Sequence, residues 1–219
     1  MTPNDIYQKI KEITGQGGYF EITETQVGGA AVPMFKSAPR DMLEVVSAGR
    51  QFSSQPFMVF EQYRYTFADF YSEVDALSAY LQQAIGVQKG DRVAIAMQNC
   101  PHWSVAFYAI LSAGAVAVPL NSWSTSEELQ FLLTNADPVC VIVDPRRLAL
   151  IQACFQTPPW HIMVTSQLDE VTAFDHVIVL DAALKAASAL TFEPVCIPPR
   201  GVLRELLTVV RSGKPKGVV

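Results

Sequence analysis

The chain has 219 residues, half of them hydrophobic and only 17% charged, which supplies a large core and argues against disorder. Its net charge is -5, from 16 basic and 21 acidic residues, and no basic run is longer than Arg146–Arg147. That balance argues against nucleic acid or an anionic membrane surface as a partner. Cys100, Cys140, Cys154 and Cys196 fit no CxxC-type spacing, and His102, His161 and His176 are scattered, so reduced thiols and no zinc site are expected. The N-terminal "MTPNDIYQKIKEITGQ" is charged and lacks the apolar core of a secretory signal.

Residues 1–40 are mixed, and their Gly- and Pro-rich stretches "GQGGYFEIT" and "VGGAAVPMFKSAPR" read as loops with short strands. "RDMLEVVSAGRQF" (40–52) reads as a short helix, and "PFMVFEQYRYTF" (56–67) as a hairpin. In "TFADFYSEVDALSAYLQQAIG", residues Phe67, Phe70, Tyr71, Val74, Leu77, Leu81 and Ile85 fall on one helical face. Thr66 and Asp69 suit its N-terminus, and Gly86 stops it. A strand–helix alternation follows. Strands are expected at 92–97, 115–120, 139–144, 161–166 and 177–180, with helices at 99–114, 125–137, 146–156 and 182–190. Thr125 and Glu128 form a capping box.

No charged residue lies between Arg92 and Glu127, but Pro101, Gly114 and Pro119 interrupt the apolar run. A buried helix and strand explain it better than a membrane span, so no transmembrane segment is expected. The strands are near-continuous apolar runs, as in a parallel sheet covered on both faces. The fold class is therefore α/β, a mostly parallel sheet covered by helices. Ligands of such a sheet sit beyond the carboxyl ends of its strands, here the loops at 98–101, 121–125 and 144–147.

"SGKPKG" (212–217) places two glycines and two lysines where backbone amides and ammonium groups could meet phosphate. It is not a Walker A loop, because Pro215 follows Gly213–Lys214 and Thr208 holds the first glycine position. By composition alone it reads as a turn or solvated tail. Asp144 before Pro145 reads as a strand terminator, Arg146–Arg147 as a solvated helix start, and Asn99 and Asn121 as turn residues. His102 reads as packing or surface. No Ser/His/Asp or Cys/His arrangement has local support.

The stretches "GVQKGDRVAIAMQN", "AFYAILSAGAVAVPLN" and "EELQFLLTNADPVCVIVD", in this order, resemble the N-terminal region of AMP-forming acyl-CoA synthetases. These belong to the adenylate-forming superfamily, with luciferases and peptide-synthetase adenylation domains. The similarity runs from about Met34 to Leu180 and resumes in "RSGKPKGVV". The family's phosphate loop has the form Thr-Ser-Gly-Thr-Thr-Gly-x-Pro-Lys-Gly-Val. Ser212 and Gly213 match its first Ser-Gly, or Gly213 is its later glycine; Lys214-Pro215-Lys216-Gly217-Val218 match its close. On either alignment the loop is shortened, and Arg211 stands where the first threonine would be.

The resemblance implies ATP, Mg2+ and coenzyme A as cofactors, and a carboxylic acid converted to an acyl-adenylate and then a thioester, in the setting of fatty acid metabolism. It makes Ser212, Gly213, Lys214, Lys216 and Gly217 the candidate phosphate-binding residues. The family's catalytic lysine and acidic metal-binding segments lie downstream of this loop, so no catalytic residue or metal ligand is assigned here. The expectation is a cytoplasmic N-terminal part of such a ligase, inactive alone. Residues 1–55 would form an N-terminal extension and 56–219 an incomplete AMP-binding domain. The alternative is a non-catalytic fragment that binds itself or a synthetase.

Overall fold

A computed structural model describes residues 2–27, 29–39, 42–165, 177–187, 189–195, 206–208 and 216–218. The chain opens with a helix, α1 (Pro3–Thr14), in a stretch to which the sequence reading assigns no element. Its start follows from local chemistry. Thr2 N donates to Asp5 Oδ2 at 2.7 Å, Asp5 N donates to Thr2 Oγ1 at 3.2 Å, and Pro3 occupies the first turn, where its missing N–H costs nothing. None of its residues is buried. The antiparallel strands β1 (Ile22–Val27) and β2 (Ala30–Phe35) follow.

Helix α2 (Met42–Ser47) runs into a 3₁₀ turn, Ala48–Phe52. Strands β3 (Pro56–Phe60) and β4 (Tyr63–Thr66) form the expected hairpin. Helix α3 (Phe67–Tyr80) begins at the Thr66–Asp69 capping box and continues as a π turn, Leu81–Ile85. Gly86, at φ 82°, closes it in the left-handed conformation glycine adopts freely.

Strands and helices then alternate as β5 (Arg92–Ala96), α4 (Pro101–Ser112), β6 (Val116–Pro119), α5 (Ser126–Ala136), β7 (Cys140–Val143), α6 (Pro145–Gln152), β8 (His161–Val164), β9 (Val177–Val179) and α7 (Leu180–Ala187). The five strands are all parallel, in the order β6-β5-β7-β8-β9. Helix α6 ends earlier than its apolar pattern suggested. Phe155 turns to meet Trp160, with ring centroids 5.1 Å apart, on the face of the second core.

Successive strand residues point to opposite faces, and both faces are covered. Val93, Ile95, Met97, Cys140, Ile142 and Met163 share a core with Phe70, Val74 and Leu77 of α3, Val105 and Ile110 of α4, and Leu180 of α7. Ala94, Ala96, Val116, Val141, Val143 and Ile162 meet Leu129, Leu132 and Leu133 of α5 and Leu148 and Ile151 of α6. Each of these buried leucines stabilises the fold by roughly 2 kcal/mol through leaving water.

After α7, residues 189–195 return along the ends of α3 and α4, where Val195 N donates to Ser112 O at 3.1 Å. Strands β10 (Leu206–Thr208) and β11 (Lys216–Val218) pair antiparallel, and β10 lies beside β6, the far edge of the sheet.

Candidate functional site

The chain steps from β5 outward to β6, then crosses back to place β7 on the other side of β5. The connections after β5 and β7 therefore leave in opposite directions. That is the switch point at which doubly wound sheets open a crevice for ligands. Three loops meet there.

Asp144 and Arg147 tie these loops together. Asp144 caps α6, with Oδ1 accepting from Arg147 N at 2.9 Å. Its Oδ2 accepts from Gln98 N, in the loop after β5, at 2.9 Å, and from Arg147 Nη1 at 3.0 Å. Arg147 Nε donates to Ser122 O, in the loop after β6, at 2.9 Å, and Nη2 donates to the same carbonyl. The Arg147 side chain is only 3% exposed, which corrects the expected solvated helix start for Arg147, while Arg146 is exposed as expected. A planar guanidinium can bridge a carboxylate and a carbonyl at once, which makes burial affordable. Asn121 is the turn residue expected: its Oδ1 accepts from Trp123 N at 3.0 Å. Trp123, held on this loop, is 77% exposed.

A second group of titratable side chains surrounds the N-termini of α4 and α7. Glu73 of α3 is pushed up to about 7, first by burial, then by Asp181 and Asp69. Its Oε2 is buried without a hydrogen-bond partner. Burial lowers His102 of α4, while Asp181 opposes that shift. Burial, then Glu73 and Asp181, raise Tyr65. Burial also raises Cys100, which precedes α4, against the amides of Trp103 and His102. The signal for Glu73 was present in the sequence: it lies three residues after Phe70 and four before Leu77, on the apolar stripe of α3. Nothing local announced Arg147, because its carbonyl partner is on another loop.

Of the sequence candidates, Ser212, Gly213 and Lys214 lie outside the described residues. Lys216 and Gly217 are in β11, their backbones opposite Thr208 and Leu207. Strand β11 pairs with β10, and it is β10 that contacts β6. Among the described residues, no three His, Cys, Asp or Glu side chains are grouped to hold a metal ion. No helix among them is long and apolar enough to cross a membrane.

Comparison with known proteins agrees with this architecture. The long-chain-fatty-acid–CoA ligase of Yersinia pestis is 33% identical over 128 residues, covering 58% of this chain and 23% of that one. The crotonobetaine/carnitine–CoA ligase of Salmonella heidelberg (strain SL476) is 27% identical over 160 residues, covering 71% of this chain and 30% of that one. The matched region thus spans about a quarter of the length of these curated relatives. In structure, the anthranilate CoA ligase AuaEII, solved with anthranoyl-AMP, matches 83% of this chain and 35% of its own with a TM-score of 0.71 at 17% identity. The N-terminal subdomain of Klebsiella oxytoca NpsA matches 81% of this chain and 40% of its own with a TM-score of 0.61 at 22% identity. At such identities these likenesses speak for the fold. The sequence model of the AMP-binding enzyme family matches residues 45–219, most of the chain, and the chain belongs to that family.

Proposed function

We propose that the chain is the N-terminal part of an ATP-dependent, AMP-forming acid–CoA ligase. The match of residues 45–219 to the AMP-binding enzyme family carries this reading, and the CoA-ligase relatives support it. The reaction joins a carboxylic acid to the α-phosphate of ATP, releasing pyrophosphate, and then exchanges AMP for the thiol of coenzyme A. Ser212, Gly213, Lys214, Lys216 and Gly217 would hold the phosphates through amides and ammonium groups, with Mg2+ sharing their charge. Relatives named as long-chain-fatty-acid ligases support a fatty acid as the acid, and a cytoplasmic setting belongs to the same proposal. The proposed division is an N-terminal extension of residues 1–55 and an incomplete AMP-binding domain of 56–219, against which α2 of the extension packs through Val46. Alone, in this reading, the chain supplies scaffold and a shortened phosphate loop and does not turn over. Carboxylate-dependent exchange of labelled pyrophosphate into ATP by the purified chain tests this. The expected signal is none, and exchange above background would overturn the claim of inactivity.

A non-catalytic role through protein binding is the second reading. The exposure of Ile6, Tyr7 and Ile10 on α1, and of Trp123, favours it.

A further inference from the structure

The connection between α7 and β10 has to cross the whole sheet. Helix α7 follows β9 at one edge, and β10 lies beside β6 at the other. Four strand spacings separate these edges, on the order of 19 Å. Residues 191–195 lie over the π turn that ends α3 and the C-terminus of α4, and Val195 stands against Gly114, just before β6.

Three anchors hold this strap. Gln82 reads the backbone of Glu193 in both senses: its Nε2 donates to Glu193 O at 2.9 Å, and its Oε1 accepts from Glu193 N at 3.3 Å. Gln83 Nε2 donates to Thr191 O at 2.6 Å. Val195 N donates to Ser112 O at 3.1 Å, and the Val195 side chain fills the place of a Cβ at Gly114, which would meet its Cγ1 at 2.6 Å. Gly114 also needs its freedom for φ 83°. A paired amide–backbone contact is what a strand partner would offer, so Gln82 acts as a one-residue strand edge. Two successive glutamines directed to one extended segment have no other partner among the described contacts that would account for them, apart from a Gln82 and Gln83 role in holding this strap.

We infer that Gln82 and Gln83 are positioning residues that, through the 191–195 strap, fix where the β10–β11 hairpin is delivered beside β6. Pinning at Val195 reduces the stretch left to reach β10 from 188–205 to 196–205. By length alone that raises the hairpin's effective concentration at β6 roughly two-fold, and the fixed starting point adds direction. The inference rests on the proposed function only in taking Lys216 and Gly217 of β11 as phosphate-binding residues.

The test is hydrogen exchange by mass spectrometry on the full chain, wild type against Gln82→Ala/Gln83→Ala and Gln82→Glu. Losing these hydrogen bonds should speed exchange in 191–195 by about ten-fold, and in 206–208 and 216–218 by about two-fold. Strands β5 and β7 should keep their protection. Gln82→Glu adds a readout that general destabilisation would not move. Its carboxylate repels the Glu193 carbonyl at neutral pH but donates to it once protonated, so the strap should loosen at pH 7 and tighten again near pH 4, corrected for intrinsic exchange. Unchanged exchange in the hairpin, or equal loosening of β5 and β7, overturns the inference. Wild-type exchange repeated with ATP and Mg2+ separates the two readings. If ATP protects nothing while the variants still free the hairpin, the phosphate-loop reading falls and the positioning role stands.

Discussion

Glu73 carries an acid into an apolar stripe with no partner for one of its oxygens. Burial, Asp181 and Asp69 all favour its neutral form, up to about 7, against about 4.3 in an unfolded chain. A raised folded value means stability that is full below the unfolded value and lost as pH rises through about 7. His102, lowered by burial, acts in the opposite sense and favours the fold above its ordinary range. Urea midpoints for wild type should therefore fall between pH 5 and pH 8, and Glu73→Gln should flatten most of that fall. Screening of a partly open site limits the difference to about 1 kcal/mol. Arg147 is the stiffer case. Arg147→Met leaves Asp144 charged and the Ser122 carbonyl without its donor, at about 3 kcal/mol in urea unfolding. Asp144→Asn added to it should recover part of the loss. The sequence showed an Arg pair at a helix start. It could not show which of the two folds inward, because Ser122 comes from a different crossover.

Where an element's start depends on three or four neighbouring residues, the sequence was legible. The boxes Thr66–Asp69 and Thr125–Glu128 both form. Thr66→Ala should cost about 1 kcal/mol in thermal or urea unfolding and raise exchange in the first turn of α3, leaving α5 unchanged. The same Thr-x-x-Asp signal, with Pro3 behind it, opens α1. It was obscured by the glycines that follow, and α1 has no buried face to reinforce its period. The π turn after Tyr80 is a different kind of miss. An α-helix and a π turn share the same apolar residues here, and only the strap, far along the chain, shows what Gln82 and Gln83 face. The phosphate-loop candidates rested on resemblance, with only Lys216 and Gly217 now given a backbone place.

For the molecule as a whole, the parallel sheet was legible because both of its faces are buried, which leaves unbroken apolar runs in the sequence. The strand order was not, since nothing in the run at β7 says that it joins β5 rather than β6. Both cores are built from residues of α2 onward, and among the described residues α1, β1 and β2 contribute none to them. Deleting residues 1–39 should therefore change the urea midpoint by less than about 1 kcal/mol of stability; a larger loss would show that the N-terminal segment supports the sheet. The strand order also sets a schedule for synthesis. Strand β5 is made first, yet it receives β7 only after α4, β6 and α5 have been made. At ribosomal speeds the interval between Val93 and Cys140 lasts about 2–10 s, long compared with strand pairing. Throughout it, an apolar strand edge stands unpaired on the nascent chain. Until β7 arrives, that edge of β5 is open to pairing with a wrong strand.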